Sequence, residues 1–431
     1  MIDSIKKNSL EFFNTHGLPN KKLENWKFTS SRNFKNFSDP STNNQNSVEF
    51  EADELSLVFI NGILNQDSLK NFKFSHLLEV KSLNTLSKNL LQCSDNFLNE
   101  SMFNLGISEF EKGSYISFKK NSVIEEVINI KNYFLKDNED KRVSSFNIFH
   151  IGQGSEVSII EQDFKEDYSI LNLKLNKFIC EDSSILKYGK SFNDNSKTHS
   201  LSYSYYQLKK DVCLNIDSMV KCSFFNKEFI EVDLNNTGSD AKINILNLGK
   251  ENHHVDNNIL INHNAEHCTS FQHVRNVLDN KSTAVFNGKV IVSEGAQQTD
   301  SNQSNKNLLL SLDSNAFSNP QLEIYADDVS CGHGSTTGAL DENSIFYLRA
   351  RGINREAAQK ILIKAFAKEV RARSKGSFTK TGAFCMYCCA VANTHLGLSQ
   401  IQQHVREKPS GIPVFTETCR CKCSVAIHLW Y

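Results

Sequence analysis

From about residue 112 to residue 335 the chain carries short β-type runs and almost no helical periodicity. Val157 to Ile160, Ile185 to Tyr188, Ile243 to Leu248 and Ala284 to Val292 are such runs, each bounded by Gly, Asn, Asp or Ser. Apolar and polar residues partly alternate in Ile243 to Leu248 and Val285 to Val292, the period of a half-buried strand. A β unit this long exposes its edges if it stays an open sheet, so it closes on itself or stacks as a solenoid. No short repeat stands out, and pattern alone does not single out a β-helix.

Helical patterning brackets this core. Leu10 and Phe13, with Ile5 and Phe12, give the first segment an apolar face that ends at Gly17-Leu18-Pro19. Lys21 to Thr29 is a short polar–aromatic segment, and residues 38–50 read as a Ser/Asn-rich loop. Leu55 to Ile60 reads as a strand closed by the turn pair Asn61-Gly62. Residues 75–110 read as helical on the spacing of Leu77, Leu78, Leu83, Leu86, Leu90 and Leu91. After residue 340, Asp341-Glu342 opens a helix that Gly352 closes. Asn354 caps a second helix, with Ala358, Ile361, Leu362, Ala365 and Phe366 predicted on one face. The expected division is 1–110 helical and mixed, 111–338 β core, 339–372 helical, and 373–431 a Cys-rich tail read as aberrant or poorly structured.

Charge and motifs exclude several classes. Lys plus Arg is 48 and Asp plus Glu is 49, so no field favours nucleic acid or an anionic membrane. No apolar run approaches the roughly 20 residues that span a bilayer, and MIDSIKKNSLEFF lacks the apolar core of a signal peptide, so a cytoplasmic chain is expected. The nearest fragment to a phosphate-binding loop, Gly189-Lys190-Ser191, lacks the upstream glycine, so the chain is expected to bind no nucleotide by itself. Neither a G-x-S-x-G elbow nor an H-E-x-x-H helix occurs, and the expectation is a non-enzyme.

The chemically richest segment is Asp327-Asp328-Val329-Ser330-Cys331-Gly332-His333-Gly334. On an extended backbone Cys331 and His333 project from one side, a thiol and an imidazole suited to iron or zinc. Two ligands do not complete a tetrahedral site, so a partner would supply the rest. The acids are candidates to orient the imidazole. His263, His267 and Cys268, with His253, His254 and His273, read as exposed loop residues. Gln297, Gln298, Asp300, Asn302, Gln303, Asn305 and Asn307 read as a polar ladder stacked at turns. Of the twelve cysteines, Cys385, Cys388, Cys389, Cys419, Cys421 and Cys423 crowd the tail, where their irregular spacing makes zinc the minority reading.

The sequence resembles the SufB/SufD family of iron–sulfur cluster assembly proteins, on its SufD branch. Gly17-Leu18-Pro19 and Glu24-Asn25-Trp26-Lys27-Phe28-Thr29 resemble its N-terminal signature, and Leu57 to Gly62 its next element. Val285-Phe286-Asn287-Gly288, Gln298-Thr299-Asp300 and Asn307 to Leu310 resemble late β-helix motifs. The longest match runs from Pro320 through Cys331-Gly332-His333-Gly334 to Phe346 and Ile353, and the resemblance fades after about Val370. It implies a right-handed parallel β-helix between helical regions, and a non-catalytic scaffold paired with SufB and bound to the SufC ATPase. It implies that a transient iron–sulfur cluster forms at the SufB interface on His333, with Cys331 beside it and SufB supplying another ligand. It implies that Phe346, Leu348, Ile361, Leu362 and Phe366 lie in the region that docks SufC. FADH2 on the complex stays open. The rival readings are a β-helix carbohydrate-active enzyme, for which Asp327-Asp328 is the one obvious acid pair, and a zinc-binding adaptor acting through the tail.

Overall fold

The computed structural model describes residues 2–37, 39–41, 53–164, 168–193, 197–221 and 224–373. The cysteines of the tail, and with them the zinc reading, lie outside the described residues, as does Cys222.

Beyond Ser114 the chain alternates strand by strand between two sheets, each of ten strands among the described residues once the N-terminal strands are included. One sheet runs through Ser114–Phe118, Lys141–Ile151, Ile170–Cys180, Thr198–Leu208, Phe225–Leu234, His254–His263, Thr283–Val292 and Asn315–Ile324. The other runs through Val123–Tyr133, Glu156–Phe164, Ile185–Asn193, Cys213–Lys221, Asp240–Gly249, Thr269–Leu278, Thr299–Leu309 and Val329–Gly338. All pairings among these strands are parallel. Two successive strands therefore make one coil of a parallel β-solenoid, as the resemblance implies. The strand Ser56–Ile60 pairs in parallel with Val123–Tyr133 and turns back on Ile63–Leu64 through Asn61 at φ +49° and Gly62 at φ +83°.

The corners that lead from the first sheet to the second share a device. Asn121, Ser183, His267 and Gln298 all adopt left-handed φ values between 56° and 58°. Each is followed by a buried small residue: Ser122, Ser184, Cys268 or Thr299. The Ser122, Ser184 and Thr299 hydroxyls donate to the carbonyls of Lys119, Glu181 and Ala296 at 2.6, 2.6 and 2.9 Å, closing the turn. Cys268 takes the same place, which explains its burial without chemistry.

Between the sheets, one side of the lumen is apolar. Ile159, Leu186, Tyr188, Phe178, Ile230, Ile243, Ile259 and Val290 belong to one continuous core. The other side is polar and includes buried ion pairs, with Lys190 Nζ 2.5 Å from Glu228 Oε1 and Lys174 Nζ 2.6 Å from Glu161.

The helix Ile2–His16 and the helix Ser101–Glu109 flank the N-terminal coils. Residues 75–110, expected to be helical, instead mix the strand Leu78–Ser82 with the short helices Lys88–Leu91, Asp95–Leu98 and Ser101–Glu109. Their leucines seal the side of the solenoid, so burial followed the coil surface and not one helix face. The Glu24–Thr29 segment is bolted to the solenoid's outer face. Trp26 is fully buried with the Lys227 ammonium 4.7 Å from its ring centre. Lys227 also pairs with Asp256, which accepts from Thr29 Oγ1, and Thr29 Oγ1 lies 2.9 Å from His254 Nε2.

At the other end Asp341 caps the helix Glu342–Arg349, accepting from the N–H groups of Asn343 and Ser344. Asn354 Oδ1 accepts from Ala357 N at 2.8 Å and starts the helix Arg355–Arg373. The face that this helix buries is rotated from the predicted one. Ala358, Ile363 and Ala367 are buried, while Ile361 and Ala365 are exposed. The docking partner is Met219, Leu246, Leu248, Val277 and Leu308 on the sheet's outer face. Glu369 fixes the angle through Arg275 at 3.2 Å and Lys306 at 3.3 Å.

Candidate functional site: the open end of the solenoid

The strands Asn315–Ile324 and Val329–Gly338 are the last of their sheets, each paired on one side only among the described residues. Cys331 and His333 lie on the second of these, in register with Ser301 and Gln303. The period of two keeps Cys331 and His333 on one side, as expected for an extended backbone, and with Ser335 and Thr337 that side is the lumen. Two observations fix that side. Cys331 packs against the lumen core, and Ser335 Oγ donates across the lumen to Ser318 Oγ at 2.8 Å.

Cys331 is half-buried, and burial pushes its thiol pKa up, with the Ser301 backbone opposing the shift. His333 is exposed, and its ring meets no hydrogen-bonding partner among the described residues. A Cβ built on Gly334 or Gly338 would touch nothing within 4 Å, so crowding within this chain does not require glycine there. Asp327 and Asp328 are both exposed and precede the strand. They sit five or six residues from His333, roughly 15–20 Å along an extended chain, and do not orient the ring.

The remaining predicted residues scatter. Phe346 and Ile361 are 72% and 43% exposed, while Leu348 and Leu362 are half-buried. Phe366 packs into the seam under the helix, 5.9 Å from the Arg275 guanidinium. The histidine cluster divides: His254, His263 and His273 lie in strands while His253, His267 and Cys268 lie between them, and only His267 is exposed, with His254 half-buried and the others buried. Of the polar ladder only Gln297 and Gln298 sit at a turn. Gln303, Asn305 and Asn307 lie inside the strand Thr299–Leu309 and line the lumen, whereas Asp300 and Asn302 point out. Sequence reasoning missed that lining. The signal was present in the i, i+2 spacing of the three carboxamides.

Residues 134–366, more than half of the chain, match the family model described as SUF system FeS cluster assembly, SufBD core domain. The chain belongs to this family. Its matched span takes in Cys331, His333 and most of the C-terminal helical pair. Among relatives, the iron–sulfur cluster assembly protein SufD of Escherichia coli (strain K12) is 36% identical over 177 residues, 41% of this chain and 42% of that protein. A SufBD family protein of Synechocystis is 39% identical over 122 residues, 28% of this chain and 26% of its own. The SufD protein of Bacillus subtilis (strain 168) is 33% identical over 94 residues, 22% of each. The matches span less than half the length of each relative. Among the described residues no helix is long and apolar enough to cross a membrane.

Proposed function

We propose that this chain is a non-catalytic scaffold subunit of a SUF assembly complex, joined to a SufB subunit through the open end of its solenoid. A nascent iron–sulfur cluster is the cargo held there, with His333 and Cys331 offering two of its ligands and SufB the others. The observation that carries this reading is the unpaired edge of Val329–Gly338, which presents an unpartnered imidazole beside a half-buried thiol. Such an edge is a template for another chain, and half a ligand set is a reason for one to come. The glycines flanking His333 leave room for its backbone to approach.

The exposed Phe346 and Ile361 support a second contact, with the SufC ATPase, on the C-terminal helices. Leu348 and Leu362 contribute at its margin, while Phe366 holds the helix to the solenoid. The complex would work in the cytoplasm. The test is co-purification with SufB and SufC of the same genome. The complex of all three proteins should form with wild-type chain and with His333→Ala alike, and the variant should lose at least tenfold in cluster assembled per complex. Unchanged assembly would remove His333 from the site.

A further inference from the structure

Polar residues on the lumen side of successive coils form a line from the buried ion pairs to the open end. Asn247 Nδ2 donates to Asn257 Oδ1 and to Asn276 Oδ1, both at 2.7 Å. Asn276 Nδ2 donates to Asn307 Oδ1 at 2.6 Å, and Asn307 Nδ2 donates to Asn305 Oδ1 at 2.8 Å and Thr337 Oγ1 at 3.0 Å. The line breaks in two places, and fully buried polar atoms stand without partners at both.

At the deep break, Glu228 Oε2 is an acceptor and Asn257 Nδ2 a donor, each unpartnered. The two residues are register neighbours, one strand spacing of ~4.8 Å apart, yet they do not bond directly. At the upper break, all four amide atoms of Gln272 and Gln303 are unpartnered, as is Asn305 Nδ2. Gln272, Gln303 and His333 are successive register partners, and both glutamines are 1% exposed. Four residues further along the same two strands, the register pair Asn276–Asn307 does bond directly.

Buried polar groups are nearly always satisfied, and leaving one bare costs about 1–3 kcal/mol. The lining at the upper break is neutral: carboxamides, hydroxyls and His263, whose imidazole burial keeps uncharged with a pKa pushed down to about 4. A neutral set of mixed donors and acceptors suits water and not an ion.

We propose that bound water fills both breaks, bridging Glu228 to Asn257 and joining the amides of Gln272 and Gln303 beneath His333. Gln303 is then a positioning residue for the open end. Its water gives the lumen-side nitrogen of the His333 ring a fixed partner, selecting one tautomer and leaving the other nitrogen for the cargo. This role rests on the function proposed above, but its test does not use cluster assembly.

The test is a crystal structure of the full chain at a resolution that orders buried water, with nitrogen-15 spectra of the His333 ring. Water is expected within hydrogen-bonding distance of the Gln303 amide and between Glu228 Oε2 and Asn257 Nδ2, and empty density at both places overturns the proposal. Gln303→Leu should lower Tm by about 2 °C or more, because it strips partners from ordered water. A rise in Tm means the amide was dry and overturns the site. One ring tautomer is expected in the wild type and a mixture in Gln303→Leu, and identical spectra overturn the positioning role. His333→Ala assembly data bear only on the function itself, so the two failures are distinguishable.

Discussion

His263 is fully buried with Nε2 2.8 Å from Ser270 Oγ, and burial alone lowers its pKa from 6.5 to about 4. The unfolded chain takes up a proton near pH 6.5 that the folded chain refuses. Stability from this group is therefore complete above pH 6.5 and is lost as pH falls toward 4, at about 1.4 kcal/mol per unit. Urea unfolding of His263→Gln should show a flatter pH dependence over that window than the wild type. Equal slopes would mean the imidazole is solvated. The thiols make a parallel case. Burial pushes Cys93 up to about 12 and raises Cys180 as well, so both should resist iodoacetamide near neutral pH in the folded chain. Cys331, half-buried at the open end, should be labelled, and peptide mass spectrometry separates the three. The strand pattern made the Cys331–His333 pair legible, because alternation alone puts them on one side. It could not place His263, whose polar neighbours suggested a loop. In this fold a polar residue between strands faces water or an equally polar lumen, and sequence does not distinguish them.

The N-terminal elements are held to the solenoid by two buried contacts of opposite character. Lys227 and Asp256 are both 0% exposed and joined by Thr29, so Asp256→Ala leaves an ammonium without its counter-ion. A loss of about 3–5 kcal/mol in urea unfolding is expected, and a double replacement of Lys227 and Asp256 by apolar residues should cost less. A loss under 1 kcal/mol for Asp256→Ala, on the order of an exposed pair, would contradict the burial. Glu231 accepts from Ser94 Oγ at 2.6 Å and Asn96 Nδ2 at 3.1 Å. Burial, with the nearby Asp233 charge adding to it, outweighs these bonds and Asn262's and raises its pKa from 4.5 to about 7. The folded state thus keeps a proton that the unfolded state releases. This contribution is complete below pH 4.5 and lost as pH rises through 7. Glu231→Gln should abolish that decline, read as the change of urea midpoint between pH 5 and 8. The helix starts at Asp341 and Asn354 were legible because helix initiation is local chemistry. The rotation of the Arg355–Arg373 face was not, since Arg275 and Lys306, which grip Glu369, come from distant strands.

The coil is the unit of the whole molecule, yet it leaves no repeat in the letters. One lumen column runs Ser202, Glu228, Asn257, Phe286 and Ser318, four different side-chain types at uneven spacing. What repeats is conformation, a left-handed corner followed by a small buried residue, and several residue types satisfy it. In a stacked solenoid each coil leans only on its neighbours, so the terminal coil has half the support of an inner one. Val329–Gly338 has one paired edge, and successive amides along it point alternately to Thr299–Leu309 and to the open side. Hydrogen exchange should therefore be fast for alternate amides of this strand in the free chain, while Thr198–Leu208 and Phe225–Leu234 in the middle stay protected. Adding SufB should slow the open-side amides of Val329–Gly338 and leave the central coils unchanged. Protection that appears instead only on the N-terminal coils would place the partner at the other end, and with it separate Cys331 and His333 from any shared cluster.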